Sequence, residues 1–499
     1  MGIVVRQSIK SVLVTLFGAV LGICVLILTA RFFPKSEFGF RESLIKIAMQ
    51  VSYLGLFGFN FTLLIFGQKY PPGHKARGTF LTISAVVPLL FTLIICACYF
   101  FFKSDLKQIY KNPGDAALME QYLILFPLLT LLSAAINWLE GYLQSLHKTA
   151  LQNFAREILA RVIYITLIVL FGFQLITFHT FIWLYVVLYL VPFLFLLLVA
   201  LRSPGFKFEY KRGMFSIKEL KEIFRFSGYH MLTVISSVLI LQLDAVLLAP
   251  MGRDGFEAVA VYSVATLAVS MLRNPTRVIG FAATPAFSQS YNEGNIRKLR
   301  DLFRRSSVNM QIIGLGMFAL VYLNIDNIVV IMEVIKPGYG QIKLLILILM
   351  LGQIADMVTG LNFELIGVTK YYRFNFWIAI ILLLIVFLLN FFLIKEIGIY
   401  GAAWATTIGL VIFNVAKTIF LWKKLKMQPF SVASSKILIS TAIAFGVAWV
   451  VPFVFNVYLD IAVRSGICCV VLWLALYKFK ISQELNDITS NMINKRRFY

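Results

Sequence analysis

About fourteen apolar stretches, each of about twenty residues, recur from one end of this chain to the other. Stretches of this length are typical of helices that cross a bilayer, so the sequence predicts an all-α polytopic membrane protein. Apolar residues make up 60% of the chain and charged residues 14%, far from the soluble balance of about half and about a quarter. We place the spans at 12–30, 44–66, 80–102, 122–143, 159–175, 181–201, 229–249, 259–283, 308–332, 344–367, 374–394, 399–421, 437–457 and 460–477.

The formal net charge of +23 does not indicate a nucleic-acid partner, because the cations mostly mark the ends of predicted spans. With the N-terminus in the cytoplasm, cytoplasmic segments contain about 32 Lys and Arg and outer segments about 12, as the positive-inside rule requires. We therefore expect both termini to be cytoplasmic. Four cations oppose this trend in the first predicted outer loop: Arg31, Lys35, Arg41 and Lys46.

The predicted spans divide into two similar halves. Both halves begin with an apolar span, a short charged loop containing Gly and a second span opening with Ser, at 27–44 and at 246–263. Transporters built from repeats bind their cargo at the repeat interface near mid-membrane. We predict an N-terminal lobe at 1–201, a cytoplasmic linker at 202–228, a C-terminal lobe at 229–428, and spans 13 and 14 with a basic tail at 429–499.

Signals for catalysis or for a cofactor are missing from the sequence. The chain contains no Gly-x-x-x-x-Gly-Lys-Ser/Thr phosphate loop, so its sequence shows no ATP-binding motif that could drive transport. Its four histidines lack ligand spacing, and its five cysteines lie in apolar stretches, where they are expected to be small core residues. We expect neither an enzyme nor a metal site.

Six charged side chains inside the predicted spans are the candidates for a functional role. A charge at the centre of a helix that faces lipid costs about 2.5–3.5 kcal/mol on the insertion scale. These side chains are therefore expected to face one another or water. They are Glu140, Asp244, Arg273, Arg277, Asp356 and Glu364.

The fourth span has one polar face. Thr130, Ser133, Asn137, Glu140 and Gln144 follow one another at steps of three and four residues, which places them on the same side of a helix. They either hydrogen-bond to neighbouring helices, with Glu140 extending to the cytoplasmic surface, or form a cavity wall. As sugar-binding or cavity-lining candidates we select Ser133, Asn137, Glu140, Gln144, Gln242, Asn274 and Asn362.

The eighth span contains the strongest functional signal. Arg273 and Arg277 are four residues apart and therefore stacked on one helix face. Pro275 lies between them and predicts a kink there. Two adjacent guanidinium groups need acidic partners or an anion, and their planar fork suits phosphate, so the pair predicts a pyrophosphate site. Permanent pairing with Asp244, Asp356 or Glu364 is the alternative.

The three carboxylates in the later spans have two interpretations. Intramembrane carboxylates are proton or sodium sites by default, which makes Asp244, Asp356 and Glu364 ion-coupling candidates. Alternatively, they only neutralise the arginines.

Two further motifs favour structural roles. Arg156, Glu157 and Arg161 open the fifth span and predict a salt bridge at its cytoplasmic end. Gly18-x-x-x-Gly22 predicts close helix packing.

Several short stretches resemble one family over nearly the whole chain. They are Ser11 to Phe33 with Glu37-Phe-Gly-Phe40, Leu241-Gln-Leu-Asp244 with Ala260-Val-Tyr-Ser-Val-Ala265, residues 361–375, and Gly398-Ile-Tyr-Gly-Ala-Ala-Trp404. With these stretches the chain resembles the bacterial polysaccharide and O-antigen flippases of the multidrug/oligosaccharidyl-lipid/polysaccharide (MOP) exporter superfamily.

The resemblance implies two six-helix lobes in a V that open alternately to either face of the bacterial inner membrane, plus two C-terminal helices. It implies movement of undecaprenyl-pyrophosphate-linked sugar units to the outer leaflet, for O-antigen, capsule or exopolysaccharide, with coupling to an ion gradient. Asp244 is the first residue to test for that coupling. Membrane lipids, a glycan polymerase and a chain-length regulator are the expected partners of a monomer.

Three other functions remain open at this point. A lipid II flippase shares the architecture, but the first lobe has fewer intramembrane arginines than that role suggests. A multidrug exporter has less use for an arginine pair. A membrane-embedded ligase or polymerase would need a large outer loop, whereas the longest predicted outer segments are short, at 103–121 and 333–343.

Overall fold

In the computed structural model the described residues are 3–101, 110–146, 148–270, 272–453, 456–481 and 486, and they form helices and no strand. Seven of their helices are long and apolar enough to cross a membrane, and nine spans result if each of two bent helix pairs is one span. The all-α polytopic class is thus confirmed. The number fourteen stays a prediction.

The chain divides into two compact units, residues 1–260 and 261–499. The lobe boundaries predicted at 201 and 229 stay a prediction. Helices of the first unit are α1 (Ile3–Phe32), α2 (Lys35–Gly55), α3 (Phe59–Lys69), α4 (Arg77–Phe101), α5 (Pro113–Gln121), α6 (Leu125–Ser145), α7 (Thr149–Phe154), α8 (Ala160–Gly172), α9 (Phe178–Leu201) and α10 (Ile217–Met251). A π-helical turn, Ala155–Leu159, joins α7 to α8.

Helix α6 is the centre of the first unit, where it packs against α2, α3, α4 and α9. The approach of α3 is close, because a Cβ atom added at Gly141 would lie 2.5 Å from the backbone oxygen of Asn60. Trp138 and Tyr142 on α6 belong to a buried apolar cluster that also includes Phe59 and Phe80. The polar face of α6 is held in place by this packing.

The first predicted outer loop is largely helical, which corrects the sequence interpretation. Helix α2 begins at Lys35, nine residues before the predicted second span, and it contains both Arg41 and Lys46. Helix α3 follows at a bend of 43°, where Gly58 adopts the left-handed backbone conformation (φ 74°) that favours glycine. Three of the cations that oppose the positive-inside trend, Lys35, Arg41 and Lys46, therefore lie within this packed helix.

The end of the linker continues directly into the seventh span. Ser216 caps the first turn of α10 together with Glu219: the Glu219 N–H donates to the Ser216 hydroxyl, and the Ser216 N–H donates to the Glu219 carboxylate. This capping box fixes where the helix starts. Residues 217–228 of the predicted linker are thus the beginning of a 35-residue helix.

Helix α11 (Gly255–Ser270) starts in the first unit, and the described residues of the second unit form nine more helices. Helix α18 packs against α15 and α17, and α13 packs against α12, α15, α19 and α20. These helices are α12 (Arg273–Asn292), α13 (Ile296–Leu323), α14 (Ile325–Ile335), α15 (Ile342–Val358), α16 (Asn362–Gly367), α17 (Tyr372–Ile397), α18 (Ile399–Leu425), α19 (Val432–Val450) and α20 (Val457–Lys478).

Two predicted spans are broken in the second unit. The eighth ends as α11 at Ser270 and resumes as α12 at Arg273. Pro275 lies in the first turn of α12, where a missing N–H is tolerated, and the interruption lies just before it. The kink at Pro275 itself stays a prediction. The tenth span breaks between α15 and α16, where Gly360 has a φ of 72°. Both breaks lie beside candidate functional residues.

Candidate functional site

The polar face of α6 lines a cavity of about 200 Å³ in the first unit. Ser133, Asn137 and Glu140 lie in its wall, together with Arg156 and Tyr189 from neighbouring elements. The Asn137 amide donates to the Ser133 backbone oxygen at 2.9 Å. The structure thus places three of the predicted cavity-lining residues around one space.

An ion pair crosses this cavity wall. Nη2 of Arg156 lies 2.8 Å from Oε2 of Glu140. The Glu140 side chain is only 6% exposed, whereas the Arg156 side chain is 48% exposed. Glu140 is therefore a buried, paired carboxylate and does not extend to the surface.

The π-helical turn Ala155–Leu159 supplies Arg156. One extra residue per turn is a feature often found at functional sites. In the same turn Glu157 pairs with Arg161 at 2.7 Å, which confirms the predicted salt bridge. Arg161 also donates to the Gly18 backbone oxygen. A Cβ atom at Gly18 would lie 2.6 Å from that of Glu157, so the Gly18/Gly22 motif serves close packing as predicted.

A second charged cluster in the first unit was not found from the sequence. The Arg41 guanidinium is buried, pairs with Glu42 at 2.8 Å, and lies 4.9 Å from the ring centre of Tyr164. Lys46 is 3.5 Å from the same carboxylate. The signal that could have revealed this cluster is the set of four cations that oppose the positive-inside trend. Cations that do not lie in a cytoplasmic loop need another stabilising environment.

In the second unit a buried lysine lies beside one of the predicted carboxylates and interacts electrostatically with a second. Nζ of Lys417 on α18 lies 4.0 Å from Oδ1 of Asp356 and 4.0 Å from the ring centre of Phe413. Its side chain is 3% exposed, and it also interacts electrostatically with Glu364. Lys417 lies near the end of the predicted twelfth span, beside the cations assigned to the cytoplasmic side, so the sequence missed this partner.

Glu364 also lies close to α12. A Cβ atom added at Gly280 would lie 3.0 Å from Oε1 of Glu364. Asn362, two residues earlier, is fully buried and donates to the Thr418 hydroxyl at 3.1 Å. The structure therefore places Asn362 in a contact between α16 and α18.

The remaining predicted residues are scattered. Gln144 is half-buried near the end of α6. Asp244 is buried in α10, where its Oδ1 accepts the Ala245 N–H at 2.8 Å. Oε1 of Gln242 has no hydrogen-bond partner among the described residues. Helix α12 contains Arg273, Asn274 and Arg277, but their side chains lie outside the described part of the structure.

Acidic, His and Cys side chains form no group of three or more that could hold a metal ion within the described part of the chain. The charged groups of the site are instead cations beside carboxylates. An external anion can take the place of a carboxylate beside such a cation only if the displaced carboxylate is protonated or paired elsewhere.

Comparison with known proteins supports the fold and defines the family. A family model described as "Polysaccharide biosynthesis protein" matches residues 4–291, more than half of the chain. A second model, MatE, matches residues 230–392. No match was found among curated protein sequences.

Three solved structures illustrate the structural likeness. A structure titled "Lipid II flippase MurJ, inward closed conformation" has a TM-score of 0.73 at 14% identity, with 94% of this chain and 98% of that chain covered. An inward-facing multidrug resistance MATE family transporter of the MOP superfamily has a TM-score of 0.64 at 14% identity, covering 84% and 98%. A MOP superfamily transporter from Pyrococcus furiosus has a TM-score of 0.58 at 16% identity, covering 85% and 95%.

These proteins are titled as a flippase and as transporters, and none is titled as an enzyme. At such low identity the likeness shows the fold, and the matching family model shows the membership. The chain therefore belongs to the polysaccharide biosynthesis protein family and is a multi-pass membrane protein with the fold of the MOP superfamily.

Proposed function

We propose that the protein is a flippase that moves undecaprenyl-pyrophosphate-linked oligosaccharide units, destined for O-antigen, capsule or exopolysaccharide, across the bacterial inner membrane. It works by alternating access coupled to an ion gradient, with both termini in the cytoplasm. One observation carries the proposal: the eighth span is interrupted immediately before Arg273, so Arg273 and Arg277 occupy the first two turns of α12.

A helix start in this position favours an anion. The N-terminus of a helix has a partial positive charge of about half a unit, and broken helices in transporters direct such ends towards anionic parts of the cargo. Arginine adds a planar fork that matches phosphate oxygens. The coincidence of two arginine positions with a helix start supports a pyrophosphate site.

The backbone of α12 also relates the arginines to the carboxylates. Arg273 and Arg277 lie seven and three residues before Gly280, so their backbone positions share the helix face at which Gly280 meets Glu364. In our proposal the phosphate replaces a carboxylate at the arginines when cargo binds. Asp356 and Glu364, with Lys417 beside them, and Asp244 on α10 are the candidates for ion coupling.

The cavity on α6 is the proposed place for sugar hydroxyl groups. The Ser133 hydroxyl in its wall has no hydrogen-bond partner among the described residues, and Asn137, Glu140 and Arg156 supply further donors and acceptors. Gln144, Gln242, Asn274 and Asn362 stay predictions for the same role. A polymerase and a chain-length regulator remain the proposed partners of a monomeric flippase.

The test is the double substitution Arg273→Ala plus Arg277→Ala. We expect loss of surface glycan while the amount of protein in the membrane is unchanged. The matched control is Arg297→Ala plus Arg300→Ala, two exposed arginines on the next helix, and it is expected to keep surface glycan. Normal glycan in the first double variant would refute the pyrophosphate role.

A lipid II flippase is the second candidate, supported by the TM-score of 0.73 to a structure with that title over 94% of this chain. The two functions differ in the cargo. Rescue of cells depleted of their own lipid II flippase would favour the second candidate, whereas restored surface glycan in a strain lacking its oligosaccharide flippase supports the first. Dye efflux without either effect would indicate a multidrug exporter, as the MatE match at 230–392 suggests.

A further inference from the structure

A second cavity, of about 210 Å³, lies in the first unit between α4 and α9 with α6 as its floor. We name it the α4–α9 cleft. Ala85 and Ala135 leave space in its walls, and Phe206 and Phe208 from the linker line one end. It reaches the protein surface at Leu89 and Phe208, whose side chains are 53% and 50% exposed.

The wall of the cleft offers no polar group to an occupant. Thr92 and Trp138 are its polar side chains, and both are already bonded to the backbone of α4. The Thr92 hydroxyl donates to the Pro88 backbone oxygen at 2.7 Å. The Trp138 indole donates at 2.6 Å to the Ser84 backbone oxygen. Pro88 cannot donate to this oxygen, because proline has no backbone N–H. Since a bound water needs about two to four polar partners, the cleft suits an apolar occupant.

The two walls of the cleft are membrane-spanning helices. In α4 and α9 only 33% and 28% of the most apolar window is buried within the protein. Most of this apolar surface is therefore exposed on helices long enough to cross a membrane, and the cleft opens at such a surface at Leu89. An apolar protein cavity of about 150 Å³ is enough to bind benzene, so a cleft of about 210 Å³ can hold a segment of a hydrocarbon chain.

The linker closes one end of the cleft and is firmly attached. Residues 205–211 are bonded to the first turns of α4 by three hydrogen bonds. Nε of Arg77 donates to the Gly205 oxygen at 3.0 Å, the Thr82 hydroxyl donates to the Glu209 oxygen at 3.3 Å, and the Lys211 N–H donates to the Thr79 hydroxyl at 3.2 Å. This attachment holds Phe206 and Phe208 at the cleft.

Cations accompany this end of the cleft. Lys207 lies in sequence between the two phenylalanines, and Arg202 follows the last residue of α9. Both are exposed. Basic residues beside a pocket between spanning helices bind anionic lipid headgroups. An apolar cleft with cations at one end thus matches an amphiphile with an anionic head.

We propose that the α4–α9 cleft binds one acyl chain of an anionic phospholipid, whose headgroup lies against Arg202 and Lys207. The lipid belongs to the leaflet on the side of the linker. Ordinary phospholipid is the occupant because it surrounds α4 and α9 at far higher concentration than any cargo lipid, and occupancy follows concentration. This inference does not depend on the identity of the cargo.

The test uses the full-length protein in nanodiscs that contain a phosphatidylglycerol with a photoreactive diazirine in its acyl chain. We expect labelling of peptides from the cleft walls on α4, α6 and α9. Ala135→Phe fills the cleft and should reduce this labelling several-fold, whereas Val86→Phe, on the exposed face of α4, should not.

The headgroup contact is tested separately, by Arg202→Gln plus Lys207→Gln. We expect these surface changes to weaken labelling by phosphatidylglycerol several-fold and to leave labelling by a matched phosphatidylcholine probe unchanged. The control is Lys423→Gln plus Lys424→Gln at the exposed end of α18. Uniform labelling of the whole lipid-facing surface, or displacement of the probe by a polyprenyl phosphate but not by excess phosphatidylglycerol, would overturn the proposal.

Discussion

Glu140 and Arg156 form an ion pair of 2.8 Å in which the two side chains differ greatly in exposed fraction. The carboxylate on α6 is nearly enclosed, and the guanidinium from the π-helical turn is about half exposed. A charge costs most when it is left unpaired where water cannot reach it. The two partners are therefore not equivalent to mutation.

We expect Arg156→Gln to destabilise the protein more than Glu140→Gln. The first change leaves a buried carboxylate without its cation, at a cost of about 1–3 kcal/mol after allowance for the exposed partner. The second leaves a guanidinium that is about half exposed, at a cost of about 1 kcal/mol or less. Thermal unfolding of the purified variants in detergent measures the difference. The double variant should recover most of the loss, and equal losses in the two single variants would contradict this account.

Lys417 is expected to matter more for stability than Asp356. Lys417→Met removes the cation that faces both Asp356 and Glu364, which should destabilise the protein by about 2 kcal/mol or more. Asp356→Asn removes a carboxylate that is 30% exposed and leaves Glu364 beside the lysine, so a loss of about 1 kcal/mol is expected.

Unfolding midpoints of the two Lys417 and Asp356 variants provide the measurement. Lys423→Met, an exposed position on the same helix, is the control and should stay within about 0.5 kcal/mol of the wild type. A Lys417→Met variant as stable as this control would show that the buried ammonium contributes nothing to the fold.

The contact between α3 and α6 predicts a steric effect at Gly141. In Gly141→Ala the new Cβ atom meets the Asn60 backbone at 2.5 Å. Backbone atoms cannot move aside without shifting a helix, so we expect a loss of about 1–3 kcal/mol. Gly446→Ala is the matched control: it lies in α19 and its Cβ meets nothing within 4 Å. Thermal unfolding should show the control unchanged or slightly stabilised, and a neutral Gly141→Ala would argue against this helix contact.

The capping box of α10 predicts a dependence on pH. Hydrogen bonds from the Ser216 N–H and hydroxyl lower the pKa of Glu219 below its ordinary value of 4.5. The capping contribution is therefore complete above that ordinary value and is lost as the pH falls through the lowered pKa.

Hydrogen exchange of the peptide around residues 216–224 tests this dependence. After correction for intrinsic exchange, protection should fall between about pH 6 and about pH 3. Ser216→Ala should show low protection at both values, because the cap is absent throughout. Protection that does not change with pH in the wild type would contradict the proposed role of Glu219.

The sequence was sufficient for the class of fold because burial in lipid demands long apolar helices. It also placed Ser133, Asn137 and Glu140 on one helix face, since helical periodicity alone does so, but it left open whether that face packs against helices or lines a cavity. It could not predict that Arg156 completes this cavity. The π-helical turn that orients Arg156 leaves no pattern in a single sequence.

The ionic contacts between side chains on different helices could not be predicted from the sequence either. Lys417 resembled a cation at a membrane end, and only the packing of α15 and α16 on α18 brings it to Asp356 and Glu364. Arg41 likewise looked like a loop residue until α2 was seen to begin at Lys35. Positions in one helix follow from periodicity, whereas contacts between helices depend on packing that many sequences share.

The π-helical turn Ala155–Leu159 also constrains how this protein is aligned with its relatives. A turn of this kind holds one residue more than an ordinary helical turn. The residues of α8 are therefore shifted by one position compared with a related protein whose helix is regular there. Such an alignment needs a single-residue gap inside a membrane helix. Without the gap, every residue of α8 would be matched to a position rotated by about 100° around the helix, and lipid-facing side chains would be mistaken for buried ones.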